Sequence, residues 1–128
     1  MKLLPRLLIL YLMIPLGLGM TFLSLAGCGA GENDSPTVST SSTATGVNAR
    51  LQWNPVNDPS VTGYIVHYGT QSSGQAGLCS YQENQFTNGP SATVTGLDPK
   101  TGYYFAVSAY NGLESPCSNE VFLPPSQT

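Results

Sequence analysis

Charge is scarce in this chain: 9% of its 128 residues are Asp, Glu, Lys or Arg. Basic side chains are scarcer still. Lys2 and Arg6 stand at the start, and from Cys28 onward only Arg50 and Lys100 remain, against Glu32, Asp34, Asp58, Glu83, Asp98, Glu114 and Glu120. Two cations against seven carboxylates give that part a net charge of −5. Without clustered Lys and Arg to displace counterions from a polyanion, nucleic acid is excluded as a partner. Histidine occurs once, at His67, with no cysteine or carboxylate near it in sequence at metal-ligand spacing. A catalytic base needs a nucleophile beside it, and a metal needs several converging ligands. Folding could bring Glu120 or Asp98 to His67, but nothing in the sequence selects them. No glycine-rich phosphate loop leads into a helix. The expectation is therefore a protein that is not an enzyme, with no metal and no cofactor. Helical periodicity is missing after Cys28, which excludes a helical architecture.

What is present begins with an apolar run. Lys2 and Arg6 precede Leu7-Leu-Ile-Leu-Tyr-Leu-Met-Ile-Pro-Leu16, and the stretch continues to Ala26 through Gly17, Gly19 and Ser24. A positive start, an apolar middle and small residues at the exit are the layout of a secretory signal. The run is also long enough to cross a membrane, but Pro15, Gly17 and Gly19 weaken a long helix and no basic stop-transfer cluster follows. Leu25-Ala-Gly-Cys28 resembles the bacterial lipobox. That resemblance implies a signal over residues 1–27, cleaved before Cys28, with lipid on the Cys28 sulfur. One acyl chain gives only marginal membrane residence and two or three make it durable, at about 0.8 kcal/mol per buried CH2. By the same resemblance, Gly29, standing where an aspartate retains enteric lipoproteins in the inner membrane, implies that the outer membrane is permitted.

Gly29 to Gly46 is rich in Ser, Thr and Gly with almost no large apolar side chain. Such a stretch cannot offset its ordering entropy by burial, so residues 28–46 are expected to form a flexible tether holding a domain roughly 20–25 Å from the lipid. The alternating Thr37 to Thr43 segment could instead supply a loose first strand.

From Val47 the pattern changes to period two, broken by Pro, Gly, Asn and Asp. Leu51 and Trp53 share one strand face. Val61 to Tyr68 forms a second strand, with Tyr64, Val66 and Tyr68 on one side and Ile65 and His67 on the other. Cys79 to Asn88 is ambiguous, and Ala92 and Val94 mark another strand. Tyr103, Phe105, Val107 and Ala109 alternate with Tyr104, Ala106, Ser108 and Tyr110. Asn119 to Leu123 makes the last strand before Pro124-Pro125. Short strands at this spacing imply an all-β antiparallel sandwich over residues 47–124, followed by a tail at 125–128.

Within that pattern, Leu97-Asp-Pro99-Lys-Thr101-Gly-Tyr103 resembles the turn before strand F of fibronectin type III domains, whose tyrosine bonds back to nearby backbone. Leu51-Gln-Trp53 is similar to that family's strand B with its core tryptophan, Gly63 to Tyr68 to strand C, and Ser118 to Val121 to the start of strand G. Strand A has no convincing counterpart. The resemblance implies an immunoglobulin-like β-sandwich that binds or spaces.

Cys79 and Cys117 remain as an even pair in an oxidising exported compartment, which favours a disulfide over two free thiols. Two strands, about 14 Å at sheet spacing, would separate them in the simplest layout, whereas a disulfide needs Cα atoms within about 7 Å. Pairing therefore requires the Gly69 to Asn88 segment to fold back toward the last strand. On the outward side of the strands, Ile65, His67, Tyr104, Tyr110 and Phe122 form a candidate binding face, unless that same segment covers it. The expected role is a lipid-anchored envelope module, in the periplasm or at the cell surface, with a protein partner. The alternative is glycan binding through the exposed rings.

Overall fold

The computed structural model describes residues 35–126. The signal segment, Cys28 and the first part of the expected tether lie outside them. The described residues contain no helix. They form seven strands: β1 (Thr37–Thr43), β2 (Gly46–Gln52), β3 (Gly63–Gly69), β4 (Glu83–Thr87), β5 (Ser91–Leu97), β6 (Tyr103–Tyr110) and β7 (Val121–Leu123). All pairings are antiparallel, in one sheet of order β1-β2-β5 and a second of order β4-β3-β6-β7.

Period-two alternation points one side chain in two into the space between the sheets. Val47, Ala49 and Leu51 enter from β2, Ala92, Val94 and Leu97 from β5, Tyr64 and Val66 from β3, and Phe105 and Val107 from β6. The step from Val94 to Leu97 breaks the alternation. Val47 pairs with Leu97 but Ala49 pairs with Val94, so β5 carries one extra residue there. Gly96, at φ +73°, supplies the left-handed conformation that such a bulge uses, and Leu97 is thereby turned into the core.

Strand β1 corrects the expected tether. Residues 37–43 pair along the whole of β2, from Thr37 opposite Gln52 to Thr43 opposite Gly46. Pro36 is fully buried, so the fold begins there rather than at Val47. The sequence hid this strand because it offers little to bury: Val38 is its one apolar side chain packed on the core, and its other residues are exposed. Backbone pairing holds it, supplemented by hydroxyls such as Thr43 Oγ1, which donates to the Gly46 carbonyl at 2.9 Å. The C-terminal boundary also moves. Ser126, placed in the tail by sequence, donates its N–H to the Pro99 carbonyl at 2.7 Å.

The crossover between sheets is fixed at Leu97 to Tyr103. The Tyr103 hydroxyl accepts the Asp98 N–H at 3.1 Å, and the Asp98 carboxylate accepts the Lys100 N–H and the Thr101 hydroxyl at 2.9 and 3.1 Å. Leu97 is buried and Pro99 half-buried. Trp53, just past the end of β2, stands edge-on to Tyr64 with ring centroids 5.5 Å apart.

One side of β6 is closed by an irregular seam. Ser115 and Ser118 donate their N–H groups to the carbonyls of Ala109 and Val107, at 2.9 and 2.8 Å. Their hydroxyls accept the Ala109 and Val107 N–H groups in return, at 2.9 and 3.0 Å. Side-chain oxygens stand here where a regular ladder would use carbonyls, and only three residues of β7 complete the edge.

Candidate functional site beneath a disulfide-tied loop

The outward positions of the four-stranded sheet do not form one open face. Along β3 and β6 the register sets Ile65 opposite Ser108, His67 opposite Ala106 and Gly69 opposite Tyr104. The middle of this surface is covered: Ala106 is 0% exposed, Ser108 1% and His67 7%. The expected exposed position of His67 is thus corrected. Its cover is the segment between β3 and β4, which folds back across β6.

Cys79 and Cys117 are disulfide-bonded, with Cα atoms 5.4 Å apart, and the Cys117 N–H donates to the Gly77 carbonyl at 3.0 Å. Glu120, immediately before β7, takes a second grip. Its carboxylate accepts the Tyr81 hydroxyl at 2.6 Å, the Ser72 hydroxyl at 2.8 Å and the Ser73 N–H at 3.0 Å. The Tyr81 ring then lies near His67, with centroids 6.4 Å apart.

Under this cover, Glu114 reaches in from the β6–β7 connection. Its Oε1 lies 2.5 Å from His67 Nε2 and accepts the Ser108 hydroxyl at 2.6 Å, while Ser108 Oγ lies 3.3 Å from the same Nε2. The residue types match a nucleophilic relay, but the arrangement differs. A relay places the acid on one ring nitrogen and the serine on the other, so that the imidazole accepts the serine proton. Here both groups meet Nε2 and the serine proton points at the carboxylate. Ser108 is bound as a donor, not activated.

The local environment sets the acidities. Burial opposes ionisation of Glu114, but hydrogen bonds from Ser108 and His67 and attraction to the imidazole outweigh it and hold the carboxyl below the usual range. Burial likewise opposes ionisation of Glu120, and the bonds from Tyr81, Ser73 and Ser72 prevail. Desolvation and the bond to Glu120 push the Tyr81 phenol up to about 12. Both carboxyls release their protons more readily folded than unfolded, so their stabilisation is present above the unfolded carboxylate value and is lost as pH falls through the folded ones. Melting temperature is therefore expected to drop as the pH is lowered from about 5 to about 3. Thermal scans of Glu114→Gln and Glu120→Gln should show a shallower drop over the same interval; an unchanged slope would refute the assignment.

The same corner gathers metal-ligand chemistry. His67, Cys79, Glu114 and Cys117 each offer a ligand atom, and these atoms all lie within 4.8 Å of one another. Local spacing around His67 gives no sign of this, because Glu114 lies 47 positions away. The one available signal was Glu114-Ser-Pro-Cys117, a carboxylate and a thiol separated by two residues.

The remaining candidate residues fall into two patches on either side of the cover. Toward one end, Tyr110 meets Phe86 edge-on at 6.0 Å and Ile65 pairs with Phe86. The Phe86 ring lies where a side chain at Gly63 would stand. Toward the other end, Tyr104 and Phe122 lie 4.6 Å apart. Phe86 and Phe122 are 51% and 47% exposed. Phe86 was missed because its stretch reads ambiguously in sequence. An open groove of about 820 Å³ lies at the end where the chain enters, lined by Pro36, Trp53, Val56, Tyr110 and Leu113 among others.

A family model described as "Fibronectin type III domain" matches residues 34–123. No curated relative matches the chain. Among solved structures, the chain is similar to the FN1-FN3 domains of chicken CNTN1, with a TM-score of 0.55 and 23% identity over 72% of this chain and 32% of that one. It is also similar to an fn3 domain of human contactin 1, with a TM-score of 0.53 and 18% identity over 78% and 87% of the two chains. An fn3 domain of human collagen alpha-1(XX) gives 0.50 and 16% over 80% and 94%. The chain spans about a third of the chicken fragment. At these identities the likeness is one of fold.

Proposed function

Because the chain belongs to the fibronectin type III family, whose model matches residues 34–123, we propose that it is a lipid-anchored interaction and spacer module of a bacterial cell envelope, held to the membrane through Cys28. The observation that carries this reading is the position of the two ends. The chain enters the fold at buried Pro36, beside Trp53 and the groove at one pole. It leaves past Ser126, bonded to Pro99 at the crossover turn of the opposite pole. Lipid on Cys28 would set the first pole on the membrane and direct the second away from it. Residues 29–35 then separate lipid from fold, a reach of at most about 25 Å. The disulfide suits an oxidising envelope, and Gly29 favours the outer membrane if the cell has one.

The proposed partner is a protein. Phe86, Phe122 and the 81%-exposed Leu113 supply scattered apolar contacts of the kind a protein interface buries. A glycan platform would use a level row of rings, and the covering loop separates Tyr104 and Phe122 from Phe86 and Tyr110. No catalytic step is proposed, in keeping with the usual role of this family.

Cys28→Ser tests the anchoring. Wild type is expected in the membrane fraction with an acylated N-terminal Cys28 by intact mass, and the variant as an unacylated precursor that retains residues 1–27. Wild-type protein starting at any other residue, or a variant that is processed and carries acyl mass like the wild type, would overturn the reading.

A further inference from the structure

We propose that reducing the Cys79–Cys117 bond converts this corner of the domain into a zinc site, with His67, Glu114 and the two cysteine sulfurs as ligands. Four donors of the kinds zinc takes, one imidazole, one carboxylate and two thiols, converge from three separate parts of the chain: β3, the loop before β4 and the β6–β7 connection. Their ligand atoms lie within 4.8 Å of one another. A tetrahedral zinc with bonds of about 2.0 Å to nitrogen and oxygen and about 2.3 Å to sulfur spaces its ligand atoms roughly 3.3–3.8 Å apart. Shifts on the order of an ångström would close the set once the sulfurs part. Two thiolates with an imidazole and a carboxylate favour zinc over magnesium or calcium, which prefer all-oxygen shells.

The surroundings are built for a site rather than a chance cluster. His67 and Cys117 are 7% exposed, so two ligands are already withdrawn from water. Ser108, 1% exposed, donates to Glu114 Oε1 at 2.6 Å and would orient that carboxylate as an outer-shell partner does. Glu120, which ties down Ser72, Ser73 and Tyr81, gives the cysteine-bearing loop a second attachment besides the disulfide.

The chemistry balances with a dithiol as reductant. The dithiol gives up two electrons and two protons and becomes a disulfide, while the Sγ–Sγ bond breaks to two thiols. Zinc then displaces one proton from each thiol to solvent, and the imidazole binds as the neutral base through a ring nitrogen. Reoxidation by a disulfide-forming oxidant would expel the metal. The pair would therefore hold the loop in either redox state, by a covalent bond in one and by zinc in the other.

Cobalt(II) and zinc(II) added to the purified full chain in detergent test this. After reduction with a phosphine and its removal under nitrogen, cobalt is expected to bind at one equivalent. It should give thiolate-to-metal charge transfer and the intense visible bands of a tetrahedral centre, both abolished by excess zinc. The untreated disulfide form should give neither. His67→Ala and Glu114→Gln should each weaken cobalt binding by roughly tenfold or more, and Cys79→Ser, which leaves Cys117 as the one thiolate, should remove about half of the charge-transfer intensity at saturating cobalt. If reduction loosens the domain, zinc should restore its strand circular dichroism and raise its melting temperature. Octahedral spectra, equal binding by the oxidised form, undiminished affinity in both the His67 and Glu114 variants, or zinc that leaves the reduced chain's melting unchanged would each overturn the proposal.

Discussion

Replacing Cys79 and Cys117 together by serine is expected to lower the stability of the domain by about 2–4 kcal/mol. The bond spans a sequence separation of 38, and in the chain-entropy account a loop of that size contributes close to the upper figure. A sandwich of about ninety residues has little reserve against such a loss. The consequence reaches past the loop. Released, residues 70–82 would cease to cover Ala106, Ser108 and His67, all nearly inaccessible in the intact fold, and Glu114 would lose its enclosed setting. At about 4–8 °C per kcal/mol for a domain of this size, the melting temperature should fall by roughly 8–30 °C. Scanning calorimetry of the variant under metal-free conditions measures it. A fall of only a few degrees would mean that the Glu120 bonds to Ser72, Ser73 and Tyr81 suffice to hold the segment.

Phe105→Ala should cost about 3–5 kcal/mol. Phe105 is 0% exposed at the middle of the core. Its ring stacks on Tyr68 with centroids 5.9 Å apart and leans on Tyr103 at 6.5 Å, so truncation leaves a cavity facing two rings anchored elsewhere. Tyr103 is held through its bond from Asp98, and Tyr68 is fixed on β3 between β4 and β6. Neither can readily collapse into the gap, which places the loss toward the upper end of the range. Urea unfolding should show a much lower midpoint with an unchanged slope. Phe122→Ala, at a ring 47% exposed, should change stability by under about 1 kcal/mol and serves as the control. Equal losses at the two positions would show that the core has been misplaced.

The sandwich was legible because alternation and turn residues act locally: Leu51, Val66 and Phe105 declare their inward side whatever the rest of the chain does. Strand β1 was not, because its evidence lies in its partner. Thr37 to Thr43 offers backbone rather than apolar side chains, and only the full length of β2 beside it makes the pairing worthwhile. The candidate site failed to show for a related reason. Alternation correctly set His67 on the outer side of β3, but outer does not mean exposed when a loop crosses over it. That crossing depends on Cys79 meeting Cys117 and on Glu120 collecting Ser72, Ser73 and Tyr81, contacts between positions some forty residues apart that no local pattern encodes. The parity of the cysteines hinted at the bond, and the geometric requirement that the segment fold back pointed to its route. Glu114, one of seven carboxylates after Cys28 with nothing in its local sequence but the spacing to Cys117 to single it out, was the part that only the folded chain could supply.

The seam beside β6 bears on how copies of this protein meet. An open sheet margin invites growth when it presents successive N–H and C=O groups in register with an arriving chain. Along Ser115 to Ser118 that template is broken. Proline at 116 has no N–H to offer, the Cys117 N–H is spent on Gly77, and the serine N–H groups are turned back onto β6. An incoming strand would find no repeating row to copy, so this flank resists fibre-like stacking even where such modules stand crowded side by side.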